Sequence, residues 1–216
     1  MSEPGARGRF IKICGLTTLE DAEAVVEAGA DAMGLIFAPS TRRVDVEIAA
    51  QISEALRGRI VRVGVFRAMD DDEILAVLER VELDAVQLHD PLSERLVSEL
   101  RVRHLWVIKA LVIGSPEFDH FDETRVDAVL VDGPVPGSGL EHSWSRFSQR
   151  TWTRPVIVAG GMTAATVGEV LAVTGAWGCD VASGVESTPG VKDSTLVRAF
   201  VRAASRYFEQ REGEHG

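Results

Sequence analysis

The residues whose types suggest chemistry lie at the ends of short apolar runs. Cys14 follows the run 10–13, and Asp132 follows the run 126–131. A thiol and a carboxyl group on opposite sides of a substrate can act as the base and the acid of a proton transfer. Lys12, two residues before Cys14 and so on the same face of a strand, would favour the thiolate. The structural alternative is that Cys14 is a small buried apolar residue and Asp132 a turn residue.

Further polar residues and glycine-rich turns could complete such a site. Arg42 could pair with a substrate carboxylate through its planar fork, and His89 could donate a hydrogen bond or act as a second base. A solvated arginine and a structural histidine are the alternatives. Backbone amides in glycine-rich turns can hold a phosphate, although such turns also form simply where positive φ is needed. The turns after the predicted sixth, seventh and eighth strands contain Gly137, Ser138 and Gly139, then Gly160 and Gly161, then Ser183 and Gly184.

Strands and helices that could position these residues alternate along the chain. The opening unit 9–37 has the pattern of a strand, a helix and a second strand, with Thr17 or Thr18 as the helix cap and Gly29 as its end. Repetition of this pattern gives about eight strands. In 216 residues this predicts an α/β protein with one domain, a (β/α)8 TIM barrel with a closed parallel sheet. A doubly wound sheet would need fewer strands and usually a glycine-rich first turn, whereas Cys14 and a single glycine occupy the turn here.

Several boundaries in the later part of the chain are expectations. We expect the fifth strand to end at Lys109, Thr163 to cap a helix over 164–173, and the last helix to cover 193–208. The tails 1–8 and 209–216 are polar, and the second is expected to fray. In a barrel the strand ends form one rim, where the active site lies. The predicted rim contains Cys14, Phe37, Phe66, His89, Lys109, Asp132, Gly160 and Ser183.

Composition narrows the class of protein. A formal net charge of -10 argues against a nucleic-acid partner or an anionic membrane surface. The sequence has no apolar run of about 18 residues and no leader-like segment at 1–8, which favours a cytoplasmic protein. Its two cysteines, Cys14 and Cys179, form neither a disulfide framework nor a CxxC metal pair, so we expect no metal site.

Motifs along nearly the whole chain resemble those of one enzyme family, phosphoribosylanthranilate isomerase of the tryptophan pathway. The combination of the motifs KICG, SGVE and PGVKD is far more specific for this family than the fold is. The resembling motifs are KICGLT at 12–17, GAD at 29–31, GLIF at 34–37, PSTRRV at 39–44, VGVF at 63–66, VQLH at 86–89, LVD at 130–132, AGGMT at 159–163 and DVASGVESTPGVKD at 180–193.

The resemblance implies an Amadori rearrangement of a small phosphorylated substrate, N-(5-phosphoribosyl)anthranilate, without cofactor or metal. It implies that Asp132 is the general acid that opens the furanose ring and that Cys14 is the general base that removes the proton from carbon 2. Arg42 falls on the arginine that faces the anthranilate carboxylate, and His89 and Asp180 fall on polar pocket positions. Members of the family are monomers or homodimers.

Two departures from the family pattern keep alternatives open. Asp90 stands where the family usually has glycine and places a charge beside the pocket. The loop from Pro136 to Trp144 is shortened and lacks the usual first glycine and lysine, which concerns phosphate affinity and loop closure rather than the proton-transfer pair. The alternatives are a related phosphosugar isomerase or epimerase barrel, and a paralogue that binds a phosphorylated ligand without converting it.

Overall fold

The strands of the protein close into a barrel. The computed structural model describes residues 8–133 and 144–213. The strands are β1 Phe10–Cys14, β2 Ala32–Ile36, β3 Val61–Phe66, β4 Ala85–Leu88, β5 Trp106–Val112, β6 Ala128–Asp132, β7 Val156–Ala159 and β8 Gly178–Val181. Each strand pairs in parallel with the next, and β8 pairs with β1 to complete the circle. The predicted eight-stranded parallel barrel is therefore confirmed.

Helices follow the strands along the chain. They are α1 Leu19–Glu27, α2 Val46–Ala55, α3 Asp71–Leu78, α4 Glu94–Val102, α5 Pro116–His120, α6 Ser145–Ser148, α7 Val167–Thr174 and α8 Ser194–Gly213. Of the two threonines expected to cap α1, Thr18 does so, because its side chain accepts a hydrogen bond from the backbone of Asp21. None of the described helices has the length and apolarity needed to cross a membrane.

Side chains alternate between two layers along each strand. In β1, Phe10 and Cys14 face the barrel lumen, whereas Ile11 and Ile13 pack outward in the layer shared with the helices. Both faces of the strand are buried, which explains the continuous apolar runs in the sequence. Because the alternation has a period of two, the last inward-facing residue of each strand lies at the mouth of the barrel.

The expected end of β5 is wrong, and the error changes the place of Lys109. The strand continues to Val112, and Lys109 lies between the inward-facing Ile108 and Ala110. It therefore points outward, fully buried beneath α5. Its Nζ donates to the carbonyl oxygen of His89 at 2.8 Å and pairs with Glu117 at 3.0 Å. Lys109 thus supports the loop after β4 from outside the lumen.

Two expected helix boundaries are also wrong. Thr163 does not cap α7; its backbone N–H donates to the side chain of Thr166 at 3.0 Å, so the turn uses that bond and the helix begins at Val167. The last helix, α8, continues past Phe208 to Gly213. Arg211 extends it, since its guanidinium donates to the carbonyl oxygens of residues 175 and 176 at 3.2 Å.

A short hairpin after β8 was not expected from the sequence. It consists of β9 Glu186–Thr188 and β10 Val191–Lys192, which pair in antiparallel fashion. Gly190 lies in its turn with φ +87°, and a Cβ there would come within 2.8 Å of the carbonyl oxygen of Thr41. The hairpin therefore packs closely against the loop that carries Arg42.

Candidate active site

The centre of the candidate site is a buried lysine in the lumen. Pairing of β1 with β8 sets Lys12 opposite Asp180. Lys12 is fully buried, and its Nζ lies 2.9 Å from Asp180 Oδ1 and 3.0 Å from Gln87 Oε1. Burial lowers the pKa of Lys12, but Asp180 and Cys14 outweigh that effect, so the pKa is raised and the ammonium form is kept.

Cys14 lies two residues after Lys12 on the same face of β1, at the floor of the barrel mouth. Its side chain is 5% exposed. Gly34, its register partner on β2, leaves room for it, because a Cβ there would lie 2.7 Å from the sulfur. Burial raises the pKa of the Cys14 thiol and Asp180 raises it further, whereas Lys12 and Lys192 lower it. The net shift is upward, so the thiol is protonated at neutral pH in the free protein.

Asp132 ends β6 on the same inward-facing side as Ala128 and Leu130. Its side chain is exposed at the rim, in contrast to the thiol. Partial desolvation in the mouth raises the pKa of Asp132, and the charge of Asp180 raises it further. Cys14 and Asp132 both end inward-facing strands of a parallel barrel and so lie at the same opening, and the Asp180 carboxylate raises the pKa of both.

Arg42 lies over the turn that follows β1 and is held by the hairpin of β9 and β10. Its Nε and Nη2 donate to the two carboxylate oxygens of Glu186 at 2.7 and 2.8 Å. Lys192 donates to the same carboxylate at 2.8 Å. Burial raises the pKa of Glu186, but these two cations lower it more, to about 2. A Cβ on Gly15 would lie 2.9 Å from Arg42 Cδ, so this glycine lets the arginine lie close to Cys14.

His89 and Gln87 extend the polar cluster from β4. Gln87 is buried, and its Nε2 lies 3.0 Å from His89 Nε2. Burial, together with the charges of Lys12, Arg67 and Lys109, lowers the pKa of His89 to about 4. The histidine is therefore neutral at physiological pH.

The glycine turns predicted to hold phosphate are described only in part. Gly137, Ser138 and Gly139 lie outside the described residues. Gly160 and Gly161 have φ values of +123° and +58°, and a Cβ on Gly160 would lie 2.2 Å from the carbonyl oxygen of Gly133. Ser183 and Gly184 begin a short 3-10 turn, and a Cβ on Gly184 would lie 1.8 Å from the carbonyl oxygen of Met162. Backbone packing alone thus requires glycine at 160 and 184, and the phosphate role stays a prediction.

Asp90, the residue that departs from the family pattern, lies in the loop after β4 and is bonded to the neighbouring loop after β3. Its carboxylate accepts a hydrogen bond from the backbone N–H of Ala68 at 2.6 Å. Ala68 has φ +54°, a conformation that is rare for residues with a side chain. Asp90 therefore stabilises the strained turn after β3.

The sequence predicts the strand ends at Cys14 and Asp132, and the structure has them there. Three further residues of the candidate site, Gln87, Glu186 and Lys192, belong to the resembling motifs but were assigned no role from the sequence. The signal for Gln87 was its position two residues before His89, which puts both side chains on one face. No local pattern indicated that Glu186 would pair with Arg42, because the hairpin that brings them together was not expected.

A family model and the relatives of this chain point to the same family. Residues 11–203 match the model of the family described as N-(5'phosphoribosyl)anthranilate (PRA) isomerase. A relative from Paramagnetospirillum magneticum named N-(5'-phosphoribosyl)anthranilate isomerase is 37% identical over 206 residues, which cover 90% of this chain and 96% of the relative.

Solved structures with the same name share the barrel. The crystal structure of phosphoribosyl anthranilate isomerase from Thermotoga maritima is similar with a TM-score of 0.81 and 36% identity, over 92% of this chain and 99% of that chain. A second structure, of phosphoribosyl anthranilate isomerase in complex with reduced 1-(o-carboxyphenylamino)-1-deoxyribulose 5-phosphate, is similar with a TM-score of 0.75 and 35% identity, over 92% and 99% of the two chains.

Proposed function

The chain belongs to the N-(5'-phosphoribosyl)anthranilate isomerase family, and from this premise we propose that it converts N-(5'-phosphoribosyl)anthranilate to 1-(o-carboxyphenylamino)-1-deoxyribulose 5-phosphate by general acid–base catalysis. The observation that carries the proposal is the arrangement of Cys14 and Asp132. Both residues end inward-facing strands at the carboxyl-terminal opening of the parallel barrel. An isomerisation of this type requires one acid and one base, and the mouth of the barrel provides them.

Asp132 acts in the first step. Its protonated carboxyl group donates a proton to the ring oxygen, the bond from carbon 1 to that oxygen breaks, and the nitrogen lone pair forms a protonated Schiff base. The raised pKa of Asp132 supports this role, because in a larger fraction of the molecules the carboxyl group carries the proton that it must donate.

Cys14 acts in the second step. Its thiolate removes the proton from carbon 2, and the electron pair forms the double bond between carbons 1 and 2 while the iminium is neutralised. The resulting enolamine gains a proton at carbon 1 and gives up the hydroxyl proton of oxygen 2, so the overall proton count is unchanged. The ammonium of Lys12 supports the thiolate against its burial.

The arrangement of Arg42 suits recognition of the anthranilate carboxylate. Glu186 occupies the Nε and Nη2 edge of the guanidinium, which fixes the plane of the group. The remaining N–H groups of the fork are donors that a substrate carboxylate can use. Asp180 and His89 would complete the polar wall of the pocket, and the turns at Gly160–Gly161 and Ser183–Gly184 would face the phosphate, as the usual phosphate loops of such barrels do.

Turnover by matched variants tests the proposal. Freshly prepared phosphoribosylanthranilate is mixed with the protein and the next enzyme of the reaction sequence, and the loss of anthranilate-type fluorescence is followed. We expect Cys14→Ala and Asp132→Asn each to lower kcat by about 10²–10⁴-fold. Cys179→Ala removes the other buried thiol, and Asp90→Asn removes another carboxylate of the rim, and both should retain turnover.

The outcomes separate the alternatives. A wild-type protein that binds the product analogue but shows no turnover would be a binding paralogue rather than an isomerase. Conversion of a different phosphosugar in place of phosphoribosylanthranilate would indicate a related isomerase or epimerase. Equal losses in Cys14→Ala and Cys179→Ala would remove the special role of Cys14.

A further inference from the structure

The hydrogen-bond donors and acceptors around Gln87 allow only one orientation of its amide. An ammonium group has donors and no acceptor, so the Gln87 oxygen faces Lys12, where the two atoms lie 3.0 Å apart. The amide nitrogen then faces His89 Nε2, also at 3.0 Å. Because that amide nitrogen only donates, His89 Nε2 must accept. The proton of the neutral imidazole therefore lies on Nδ1.

The charges that face His89 agree with a neutral ring. Three cations surround it from three parts of the barrel: Lys12 on β1, Arg67 after β3 and Lys109 on β5. Asp90, next in the chain, opposes them. Burial and the three cations keep the pKa of His89 at about 4, so the ring does not titrate between pH 6 and 8. Among the described residues, Nδ1 has no hydrogen-bond partner.

We propose that Gln87 is a positioning residue that holds His89 as the Nδ1–H tautomer, so that Nδ1 presents a hydrogen-bond donor to the bound substrate. The substrate contact rests on the proposed function, whereas the tautomer is a property of the free protein. The series Asp180, Lys12, Gln87 and His89 then forms one polar chain across the lumen, and its direction is set by the ammonium at its centre.

Nuclear magnetic resonance of the histidine ring nitrogens tests the tautomer directly. At pH 7 the wild-type protein should show a protonated Nδ1 and a bare Nε2 for His89, whose signals are identified by their loss in His89→Asn. Gln87→Glu puts an acceptor beside Nε2, so the proton should move to Nε2 and the pKa of His89 should rise to about 6. Gln87→Leu removes the donor without adding charge and should give a mixture of tautomers. Gln51→Glu, the same change at an exposed position of α2, should leave His89 as in the wild type.

The pH dependence of turnover separates positioning from a merely structural role. In Gln87→Glu, kcat/KM should fall about tenfold at pH 8. Nδ1 then carries no proton, so the bound substrate loses one hydrogen bond. The deficit should shrink below the new pKa, where protonation restores the donor. A deficit that is equal at all pH values would contradict the positioning role.

The tautomer of His89 and the proposed function are tested by separate measurements. A wild-type His89 protonated on Nε2, or an unchanged tautomer in both Gln87 variants, would overturn the assignment of Gln87 whether or not the protein is active. Absence of turnover in the wild type would instead overturn the proposed function, and the nitrogen spectra would still decide the tautomer.

Discussion

The two ends of the barrel lumen are built from opposite kinds of side chains. At the amino-terminal end, Phe10 stacks on Trp177 with ring centroids 5.1 Å apart, and Trp106 meets Trp177 edge-on at 5.8 Å. At the carboxyl-terminal end, the same strand β1 contributes Lys12 and then Cys14. A single strand of five residues therefore passes from an aromatic plug to a charged cluster.

The difference shows how stability and chemistry are divided along the lumen. Aromatic packing at the lower end removes apolar surface from water without polar groups that need partners. At the upper end, Lys12 and Asp180 are both buried, and their mutual attraction must offset the desolvation of two charges. An apolar pair would be a simpler way to fill that space. The buried charges are therefore explained by what they do to Cys14 and Asp132 rather than by stability.

The largest effect should come from breaking the charged end. Lys12→Met leaves the Asp180 carboxylate buried without its partner, so the free energy of unfolding should fall by about 3 kcal/mol in urea titrations. Turnover should also fall, by about 10²-fold or more, because the thiolate loses its neighbouring cation.

A second substitution sharpens this result. Adding Asp180→Asn to Lys12→Met removes the unpaired charge and should restore most of the stability without restoring turnover. A Lys12→Met protein as stable and as active as the wild type would contradict the division between the two ends.

A substitution at the aromatic end should lower stability but leave turnover nearly unchanged. Trp177→Ala leaves a cavity beside Phe10 and should lower the free energy of unfolding by about 3 kcal/mol. Well below the unfolding temperature, kcat of the folded protein should change little, because distant sites act independently. Thermal unfolding and turnover of the same preparation provide the check. A loss of kcat as large as that of Lys12→Met would show that the plug shapes the site as well as the fold.

The smallest effect concerns how kcat/KM depends on pH, first in the wild-type protein and then in Asp132→Asn. Burial raises the pKa values of both Asp132 and Cys14, and a carboxyl group ordinarily titrates well below a thiol. The reactive form that we propose, with Asp132 protonated and Cys14 ionised, is then a minor form whose population is highest between the two pKa values. Plots of kcat/KM against pH should be bell-shaped, falling below the pKa of Asp132 and above that of Cys14.

Removal of the acid should change that shape in one direction. In Asp132→Asn only the thiolate is needed, so the residual kcat/KM should rise continuously with pH toward the pKa of Cys14. An unchanged acid limb in this variant would assign the limb to another group.

The parts of this account that the sequence could predict depend on local periodicity. Apolar runs and turn residues were enough to end β1 at Cys14 and β6 at Asp132, and the barrel then brought them to one rim. The expected end of β5 was wrong because the charged Lys109 was taken as the strand end, although the apolar run continues through Ala110, Leu111 and Val112 and meets a glycine only at position 114.

Partners that are distant in the chain were beyond sequence reasoning. Lys12 and Gln87 are 75 residues apart, and Arg42 and Glu186 are 144 residues apart. Each pair forms because the barrel or the hairpin brings two strands or loops together, and neither residue carries a local mark of its partner. The role proposed for Gln87 depends on the donor and the acceptor at the two ends of its amide, which only the fold brings together.

A crystal structure of this protein with reduced 1-(o-carboxyphenylamino)-1-deoxyribulose 5-phosphate would show whether Cys14 and Asp132 face the reacting carbons. We expect Cys14 Sγ to lie within about 3.5 Å of carbon 2 and the Asp132 carboxyl group to face the sugar from the opposite side. A ligand whose sugar lies away from the sulfur, or an Asp132 side chain turned from the sugar, would contradict this expectation.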